Sequence, residues 1–360
     1  MKILFYIGGL GKGGAERVIT NLANYFAQSD NDVTIMTDFN REAKYPLDKR
    51  VKIYALDKDD KIKLFKLSNN ILRLKNICKY VKEYNPNVIV SFLINPSYRM
   101  LILKNRLHVP IIVSVRNEPN QEYNSLIKKK LAYIMYSKAD GIVFQTKEAQ
   151  NWFPKNIIDN STVIANPIND TFICEPYIGK RKNVIVTVGR LSKQKNHKLL
   201  IDTFADISKK YQDYILKIYG DGELMDELKQ QIKCLGLDKK VFLMGVTDNV
   251  KNEIYKAKMF VLTSNYEGMP NVLMEAMALG IPCISTDCEI GGPRFLIKNN
   301  VNGLLVRVND KKELFDAIET LIKDEKVANK LGNNAHKICE TLSPKIINNK
   351  WEKYIKLISN

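Results

Sequence analysis

Short apolar runs alternate with helix-like segments along the whole chain, and this alternation restricts the folds that it can form. In the first half, Lys2–Ile7, 32–37 and Val88–Phe92 are typical of buried strands. After a polar, irregular link (169–183) the alternation restarts at 184–188. Repeated strand–helix alternation indicates parallel sheets with helices on both faces. We therefore expect an α/β protein of two doubly wound, Rossmann-like domains that face each other across a cleft.

With 360 residues the chain is long enough for two domains of ordinary size. The predicted boundaries are 1–170 for the first domain and 171–342 for the second, and 343–360 are predicted to form a final helix. Neither the N-terminus nor any apolar run has the length of a secretory signal or a membrane span. The six cysteines are scattered, which is typical of reduced thiols in the cytoplasm rather than of disulfides or zinc sites.

The stretch 264–280 is the most informative one in the second half. It follows an apolar run, 259–262, and it begins with a turn-like segment, Glu-Gly-Met-Pro-Asn at 267–271. Residues 272–279 suit a helix, which Gly280 ends. The predicted loop therefore lies at the carboxyl end of a strand, where open α/β sheets bind their ligands.

Two carboxylates, Glu267 and Glu275, are about two helical turns apart in this stretch. The first N–H groups of the predicted helix, near Asn271 and Val272, form an anion site between them. Carboxylates that accept hydrogen bonds from hydroxyl groups, next to donors that can hold phosphate, suit a nucleotide-sugar.

Two cations follow an earlier strand of the second half, Arg190 in Gly-Arg-Leu and Lys195 in Lys-Asn. An arginine offers a bidentate fork and a lysine a point charge, and the two together suit a diphosphate. The glycine-containing turns that begin at Gly220 and Gly245 are expected to shape a pocket for the nucleotide base.

The loop after the first strand gives a rival hypothesis. Gly9, Gly11 and Gly14 match the dinucleotide fingerprint, and Asp38 ends the next strand where a carboxylate for the ribose would lie. This pattern is that of an NAD-dependent oxidoreductase. It leaves the stretch 264–280 unexplained.

The net charge of +17 implies an anionic partner. A predicted basic amphipathic helix, 61–84, has apolar residues at three- and four-residue spacing. It either packs on the sheet or contacts anionic lipid headgroups or a lipid diphosphate, and a second cluster (128–130 with Tyr133, Met135 and Tyr136) could add to the same face. Nucleic acid is disfavoured because the lysines are spread over many helices. The candidate acceptor- or membrane-contacting residues of the basic helix are Lys63, Lys66, Arg73 and Lys75.

The string E-G-M-P-N-x-x-x-E-A at 267–276 resembles the donor-site signature of glycosyltransferase family 4, which consists of retaining enzymes of GT-B fold. The resemblance covers nearly the whole chain and implies a hexosyltransferase (EC 2.4) whose first domain binds the acceptor and whose second binds the nucleotide-sugar. It also implies that the final helix returns to the first domain. Under this resemblance Glu267, Arg190 and Lys195 are catalytic, Glu267 holding the sugar, and Glu275 accepts the ribose hydroxyls. The donor-binding residues that it implies are Gly13, Gly14, Arg190, Lys195, Gly220, Gly245, Glu267, Gly268, Met269, Pro270, Asn271, Val272 and Glu275.

The resemblance is closest to bacterial enzymes that extend undecaprenyl-diphosphate-linked glycans for surface polysaccharide. It implies a UDP-sugar donor, a lipid-linked glycan acceptor, and a cytoplasmic protein held peripherally at the inner face of the membrane. Many members have a histidine where this chain has Arg116 and Asn117, which become candidate acceptor contacts. Many also have an acidic residue after the arginine of the Gly-Gly-Pro-Arg loop, where this chain has Phe295. A GT-B sugar epimerase is a further alternative.

A metal-dependent transferase would need an Asp-x-Asp string at a strand end. Asp57-Lys-Asp59 is the candidate for such a string, and it lies in a charged segment. We therefore expect metal-independent transfer, no metal site and no cofactor. The three histidines form no catalytic constellation, and His197 is expected to cap a helix or to pack beside Lys195.

Overall fold

The computed structural model describes residues 1–11, 13–40, 42–57 and 66–359, with backbone only for 66–69. The described chain divides into two compact units. Unit 1 comprises Met1–Asn166 and Lys345–Asn360, and unit 2 comprises Pro167–Pro344. No helix of this part of the chain combines the length and the apolar character needed to cross a bilayer.

Unit 1 is built on a seven-stranded parallel sheet in the order β3-β2-β1-β4-β5-β6-β7. Its central strands are buried on both faces, as their continuous apolar sequences predict. The strands are β1 Lys2–Ile7, β2 Asp32–Phe39, β3 Lys52–Asp57, β4 Val88–Phe92, β5 Ile111–Ser114, β6 Gly141–Phe144 and β7 Ser161–Val163. The helices are α1 Gly14–Gln28, α2 Lys66–Tyr84, α3 Ile94–Ile102, α4 Lys104–Leu107, α5 Pro119–Glu122, α6 Leu126–Tyr136, α7 Lys147–Asn151 and α8 Lys155–Asp159.

Unit 2 is built on a six-stranded parallel sheet in the order β10-β9-β8-β11-β12-β13. The strands are β8 Lys182–Val188, β9 Ile215–Tyr219, β10 Val241–Gly245, β11 Ala257–Leu262, β12 Cys283–Thr286 and β13 Leu304–Val306. The helices are α9 His197–Lys210, α10 Met225–Cys234, α11 Val250–Ile254, α12 Asn271–Ala278, α13 Gly292–Leu296, α14 Lys311–Lys323, α15 Glu325–His336 and α16 Cys339–Leu342. In both sheets the strand order reverses beside the first strand of the unit, which confirms the two doubly wound sheets.

The last helix, α17 (Pro344–Ser359), packs on unit 1 although it follows unit 2 in sequence. Trp351 is fully buried, and its ring stacks on Phe92 of β4 with centroids 5.8 Å apart. The Tyr354 hydroxyl accepts a hydrogen bond from the Ile142 backbone N–H at 2.9 Å. The helix thus packs on the sheet of unit 1 at β4 and β6, as expected.

One predicted strand is shorter than its apolar sequence indicated. The run 163–168 has the apolar sequence of a strand, which predicts the last strand of the first half, but β7 is Ser161–Val163 and the chain then leaves the sheet. The Ile164 N–H still bonds the Phe144 carbonyl, whereas Ile168 N–H bonds Leu342 of unit 2. Pro167 has no N–H to donate, so a ladder could not have continued through it.

Candidate active site

Four loops of unit 2 leave the same edge of its sheet. Because neighbouring strands β8, β9, β10 and β11 are parallel, their carboxyl ends lie together, and this is the edge where α/β sheets bind ligands. The loops are 189–196 after β8, 220–224 after β9, 246–249 after β10 and 263–270 after β11. Predicted site residues from distant parts of the sequence are therefore at one edge.

Glu267 and Lys195 form an ion pair at this edge. Lys195 Nζ donates to Glu267 Oε1 at 2.5 Å, and Ser264 Oγ donates to the same oxygen at 2.6 Å. The side chains are 7% and 15% exposed, so the charges are mostly removed from solvent. The two residues were expected to bind different parts of the donor, the sugar and the diphosphate. In the structure the two charges instead neutralise each other.

The segment 267–271 leads directly into α12. Pro270 occupies the N-cap position in an extended conformation, and the helix begins at Asn271, one residue earlier than the sequence indicated. The first N–H groups of an α-helix, here those of Asn271 and Val272, have no intrahelical acceptor, which makes this end suited to an anion. Glu275 lies one turn further along the helix and is 5% exposed. A buried carboxylate at a helix start is unusual on a plain surface helix, where glutamates are solvated.

Two glycines fix the loops after β8 and β9 against each other. Gly220 has φ +137°, and a Cβ atom there would lie 2.0 Å from the Gly189 carbonyl oxygen. A Cβ atom at Gly222 would lie 2.4 Å from the Leu191 carbonyl oxygen. Because these contacts are with backbone, neither position can accept a side chain without moving the loop that carries Arg190. Gly245, by contrast, has φ +69° and open space around it.

The Gly-Gly-Pro-Arg loop packs on the Glu-Gly-Met-Pro-Asn segment, a contact that sequence spacing did not reveal. A Cβ atom at Gly292 would lie 1.8 Å from the Gly268 carbonyl oxygen. Met269, in the same segment, is 6% exposed. Arg294 forms a bidentate pair with Asp287, at 2.8 and 2.7 Å. This pair anchors the loop without the acidic residue that is missing at Phe295.

Arg190 presents its charge to solvent. The residue is exposed, and among the described residues no carboxylate pairs with its guanidinium. Its carbonyl accepts a hydrogen bond from Ser192 N–H at 2.9 Å, which holds the loop in a tight turn. The fork of Arg190 is therefore available to an external anion at the edge where Lys195 lies.

His197 is buried directly behind this loop. It is 1% exposed and packs beside the backbone of Gly189 and Arg190. Burial, and secondly the charge of Lys195, lowers the pKa of His197 from 6.5 to about 4. The imidazole is thus neutral at pH 7. It packs beside Lys195, and Asn196 rather than His197 occupies the N-cap of α9.

Burial of the imidazole leads to a prediction about how the free energy of unfolding depends on pH. Between pH 6.5 and pH 4 the unfolded chain binds a proton at His197 that the folded chain does not, so the free energy of unfolding falls as the pH falls. The loss from this group is at most about 3 kcal/mol. We expect His197→Leu to have a shallower dependence of unfolding free energy on pH between 6.5 and 4 than the unsubstituted chain, measured by urea denaturation. Parallel curves for the two proteins would contradict this.

In unit 1 the glycine loop lies at the carboxyl end of β1, as predicted. Gly13 is the N-cap of α1 and Gly14 its first residue. A cavity of about 600 Å³ lies beside the loop. Its lining residues are Gly8, Gly9, Leu10, Gly11, Glu16, Phe39, Glu42 and Lys44.

Asp38 is not placed as the ribose carboxylate of a dinucleotide site. It is 6% exposed and accepts hydrogen bonds from Tyr6 Oη at 2.6 Å and from Arg99 Nη1 at 2.7 and 2.8 Å. Arg73 Nη1 lies 3.8 Å away. Burial and the Asp38 charge raise the pKa of Tyr6 far above its usual range. Because internal donors already satisfy Asp38, the oxidoreductase hypothesis loses the residue that it requires.

Arg116 is buried rather than presented to an acceptor. Its guanidinium lies over the rings of Phe92 and Trp351, at 4.7 and 5.6 Å, and Nη1 donates to Asn166 Oδ1 at 2.6 Å. Burial lowers the pKa of Arg116 to about 9. Asn117 is exposed and donates to Glu122 Oε1 at 2.7 Å. Arg116 therefore joins α17 and the end of unit 1 to the sheet, a role that the sequence did not reveal.

The basic helix is described from Lys66 to Tyr84, so Lys63 lies outside the described residues and only the backbone of Lys66 is described. Lys75 is exposed. Arg73 is 12% exposed and pairs with Asp57, Nη2 to Oδ2 at 2.5 Å. Its charge is directed into the unit, which corrects the expectation that Arg73 contacts lipid. Asp57 is also the first residue of the Asp-x-Asp string, so its carboxylate is paired with Arg73. Asp59, the other carboxylate of that string, lies outside the described residues.

Comparison with known proteins divides the chain close to the boundary between its two units. Residues 12–172 match the family model described as Glycosyltransferase Family 4, and residues 171–338 match Glycosyl transferases group 1. A Campylobacter jejuni protein is 30% identical over 100% of this chain and 99% of its own. Its name is GalNAc-alpha-(1->4)-GalNAc-alpha-(1->3)-diNAcBac-PP-undecaprenol alpha-1,4-N-acetyl-D-galactosaminyltransferase.

Solved structures show the same fold at low sequence identity. The Anabaena protein HepE in complex with UDP-glucose has a TM-score of 0.84 at 20% identity, over 99% of both chains. Sucrose-phosphate synthase from Thermosynechococcus elongatus has a TM-score of 0.86 at 16% identity, over 99% of this chain and 98% of that one. These likenesses confirm the expected GT-B fold class.

Proposed function

Because the chain belongs to the glycosyltransferases, family 4 in its first half and group 1 in its second, we propose that it moves a sugar from a UDP-sugar to a lipid-linked glycan. The name of the Campylobacter jejuni relative specifies an undecaprenol diphosphate acceptor and an α linkage. The HepE structure contains UDP-glucose. Both features support the donor and acceptor classes proposed for this chain.

The Lys195–Glu267 pair is the observation that carries the proposal. A mostly buried ion pair adds little to stability compared with apolar packing, so its presence at a ligand-binding edge favours a functional role. A departing diphosphate would take Lys195 from Glu267, and the freed carboxylate would accept hydrogen bonds from the sugar hydroxyls. When the donor binds, each side chain of the pair thus exchanges its partner for a group of the donor. Until then, the ion pair holds both side chains in place.

The chemistry requires stabilisation of the leaving group. The bond from the anomeric carbon to the diphosphate oxygen breaks, and its electron pair leaves with UDP. An acceptor hydroxyl forms the new bond, and its proton passes to the departing phosphate oxygen, on the same face of the sugar if the configuration is retained. Arg190, Lys195 and the start of α12 supply the positive charge and the N–H groups that would stabilise the charge that develops on UDP.

Transfer without a metal is part of the proposal, because protein cations at the site can neutralise the diphosphate. We expect turnover to be unchanged in excess EDTA, measured as UDP release with the purified protein. The control is a known Mn²⁺-dependent transferase, whose turnover EDTA should abolish under the same conditions. Loss of turnover that Mg²⁺ or Mn²⁺ restores would contradict this part of the proposal.

Glu275 is proposed to accept hydrogen bonds from the ribose hydroxyls of the donor. Replacing it by Ala should weaken UDP binding by about 100-fold or more, because two charge-assisted hydrogen bonds, each worth about 1.5–3 kcal/mol, are lost. Calorimetric titration with UDP measures the effect. Glu275→Gln keeps the shape and one acceptor, so its loss should be smaller. Glu325→Ala, at a site 61% exposed on α15, is the control. Unchanged UDP affinity in Glu275→Ala would remove this residue from the ribose role.

The acceptor is proposed to bind unit 1, with its glycan linked to a lipid diphosphate and used for surface polysaccharide. The cavity beside the glycine loop is lined by the carboxylates of Glu16 and Glu42 and by the ring of Phe39. Carboxylates and an aromatic face are groups that suit sugar hydroxyls and sugar C–H faces. With such an acceptor, we propose that the protein works at the cytoplasmic face of a membrane.

A further inference from the structure

Helix α6 exposes large aliphatic side chains along its outer side. Leu126 is 86% and Ile127 is 82% exposed, and Ile134 is 50% exposed. Exposed aliphatic residues are ordinary when single, but a contiguous set indicates a binding surface. The α6 outer face consists of Leu126, Ile127, Lys130, Leu131 and Ile134, all exposed, and Lys128 is exposed beside it in the first turn of the helix.

The fold itself does not need these aliphatic residues. The opposite side of α6 already packs on unit 1 through Ala132, Met135 and Tyr136, which are buried. Tyr136 bonds Tyr123 through their hydroxyls at 2.7 Å and packs edge-on to Phe153. The helix is therefore anchored from within by an aromatic cluster. Of the second basic cluster expected from sequence, Met135 and Tyr136 belong to this inner side, whereas Lys128 and Lys130 are exposed.

The charge of the α6 segment has one sign. No acidic residue occurs between Glu122 and Asp140, whereas four lysines do. Lys128 and Lys130 are exposed beside the aliphatic residues, and Lys129 lies over the ring of Trp152 at 4.7 Å. Asp140, the next carboxylate along the chain, is paired with Lys104 of α4. Lysines beside exposed leucine and isoleucine are the composition of an interfacial helix, whose ammonium groups reach lipid phosphates while the stems lie on the acyl boundary.

Neighbouring helices extend the same surface. Ile102, at the end of α3, is 58% exposed, and α3 packs against α6. On α2, which packs against α4, Ile71 and Leu72 are 53% and 45% exposed. The outward apolar residues of unit 1 thus concentrate on helices that lie side by side on one face of its sheet.

We propose that the α6 outer face docks unit 1 on an anionic lipid bilayer. This inference rests on the proposed function, because a lipid-linked acceptor is presented at a membrane surface. The exposed aliphatic side chains favour lipid over nucleic acid, because binding of nucleic acid would require aromatic rings or arginine guanidinium planes that stack on bases. The lysines favour anionic over zwitterionic headgroups. The contact is through α6 rather than through Arg73 of the basic helix.

The test is sedimentation of the full-length protein with vesicles of phosphatidylglycerol and phosphatidylcholine, compared with phosphatidylcholine alone. The unsubstituted protein should pellet with the anionic vesicles and much less with the neutral ones, and added salt should release it. The double variant Leu126→Ser/Ile127→Ser should partition at least about tenfold more weakly, because two side chains no longer enter the bilayer. Lys128→Glu/Lys130→Glu should show a similar loss.

Matched controls lie in unit 2. Ile178→Ser removes an aliphatic side chain that is 97% exposed, and Lys312→Glu/Lys330→Glu reverses two exposed charges. Both should pellet like the unsubstituted protein. Equal pelleting of the α6 variants and the unsubstituted protein would overturn the proposal. So would a change from dimer to monomer in Leu126→Ser/Ile127→Ser without any change in pelleting, since the face would then bind a second copy.

The same variants separate this inference from the proposed function. UDP should raise the melting temperature of Leu126→Ser/Ile127→Ser as much as that of the unsubstituted protein, because α6 lies in unit 1 and the candidate donor site in unit 2. If the protein pellets as expected but UDP does not raise its melting temperature, the docking face is supported and the proposed donor is contradicted. If UDP raises the melting temperature but pelleting does not depend on α6, the donor is supported and the docking face is contradicted.

Discussion

Lys195→Ala is expected to lower kcat by about 10²- to 10³-fold, the range typical for removal of one preorganised group that stabilises transition-state charge. In the unsubstituted protein, Lys195 Nζ lies 2.5 Å from Glu267 Oε1 and is proposed to move to the departing diphosphate and stabilise it. The variant has no cation at this position. The loss should fall on kcat more than on KM, since the leaving group carries more negative charge in the transition state than in the bound donor. Steady-state UDP release with the lipid-linked acceptor measures it.

The variant also leaves Glu267 mostly buried without its cation, which costs up to about 3–5 kcal/mol of stability. The double variant Lys195→Ala/Glu267→Gln removes both charges and should recover much of that stability while turnover stays low. Lys198→Ala, three residues along on α9, is the matched control, because Lys198 pairs at the surface with Glu227. Near-normal turnover in Lys195→Ala would contradict the role of Lys195 in catalysis.

Trp351→Ala is expected to destabilise the protein by about 3–5 kcal/mol, as truncation of large buried aromatic side chains does. Trp351 is fully buried against Phe92 and lies over the guanidinium of Arg116. Its removal would open a cavity and expose an arginine that has no carboxylate partner among the described residues. Urea denaturation, followed by a spectroscopic signal from unit 1, gives the free energy of unfolding and so measures the loss.

Two variants of the same helix serve as controls. Trp351→Phe keeps a ring over Phe92 and removes an indole N–H without an acceptor in the described chain, so it should lose much less stability than Trp351→Ala. Leu357→Ala, at a position 70% exposed, should be nearly neutral. A stability loss in Trp351→Ala no larger than that in Leu357→Ala would mean that α17 does not hold unit 1 together.

The local parts of the candidate site could be predicted from the sequence. Residues 267–275 combine a turn, a helix start and two carboxylates within one short segment, so chain connectivity alone brings them together. The alternation of strand and helix then places this segment and Arg190 at the same sheet edge. Relative positions within such a segment follow from helix geometry and need no knowledge of packing.

Contacts between distant segments could not be predicted in this way. Glu267 pairs with Lys195 across 72 residues, and Gly292 meets Gly268 only because two loops fold over each other. Arg73 has the spacing of an outward cation on an amphipathic helix, yet Asp57 and Asp38 at the ends of two strands bind it inside the unit. A helical pattern shows which residues share one side of a helix. It does not show which charged residues from other parts of the chain lie against that side.

Titration of the purified full-length protein with UDP, GDP and ADP, and with their sugars, in EDTA tests the central claim most directly. The melting temperature should rise with UDP and with one UDP-sugar, should rise much less with GDP or ADP, and the rise with UDP should be lost in Glu275→Ala. A rise with NAD and none with any of these nucleotides or sugars would contradict the account and would move the ligand site to the glycine loop of unit 1.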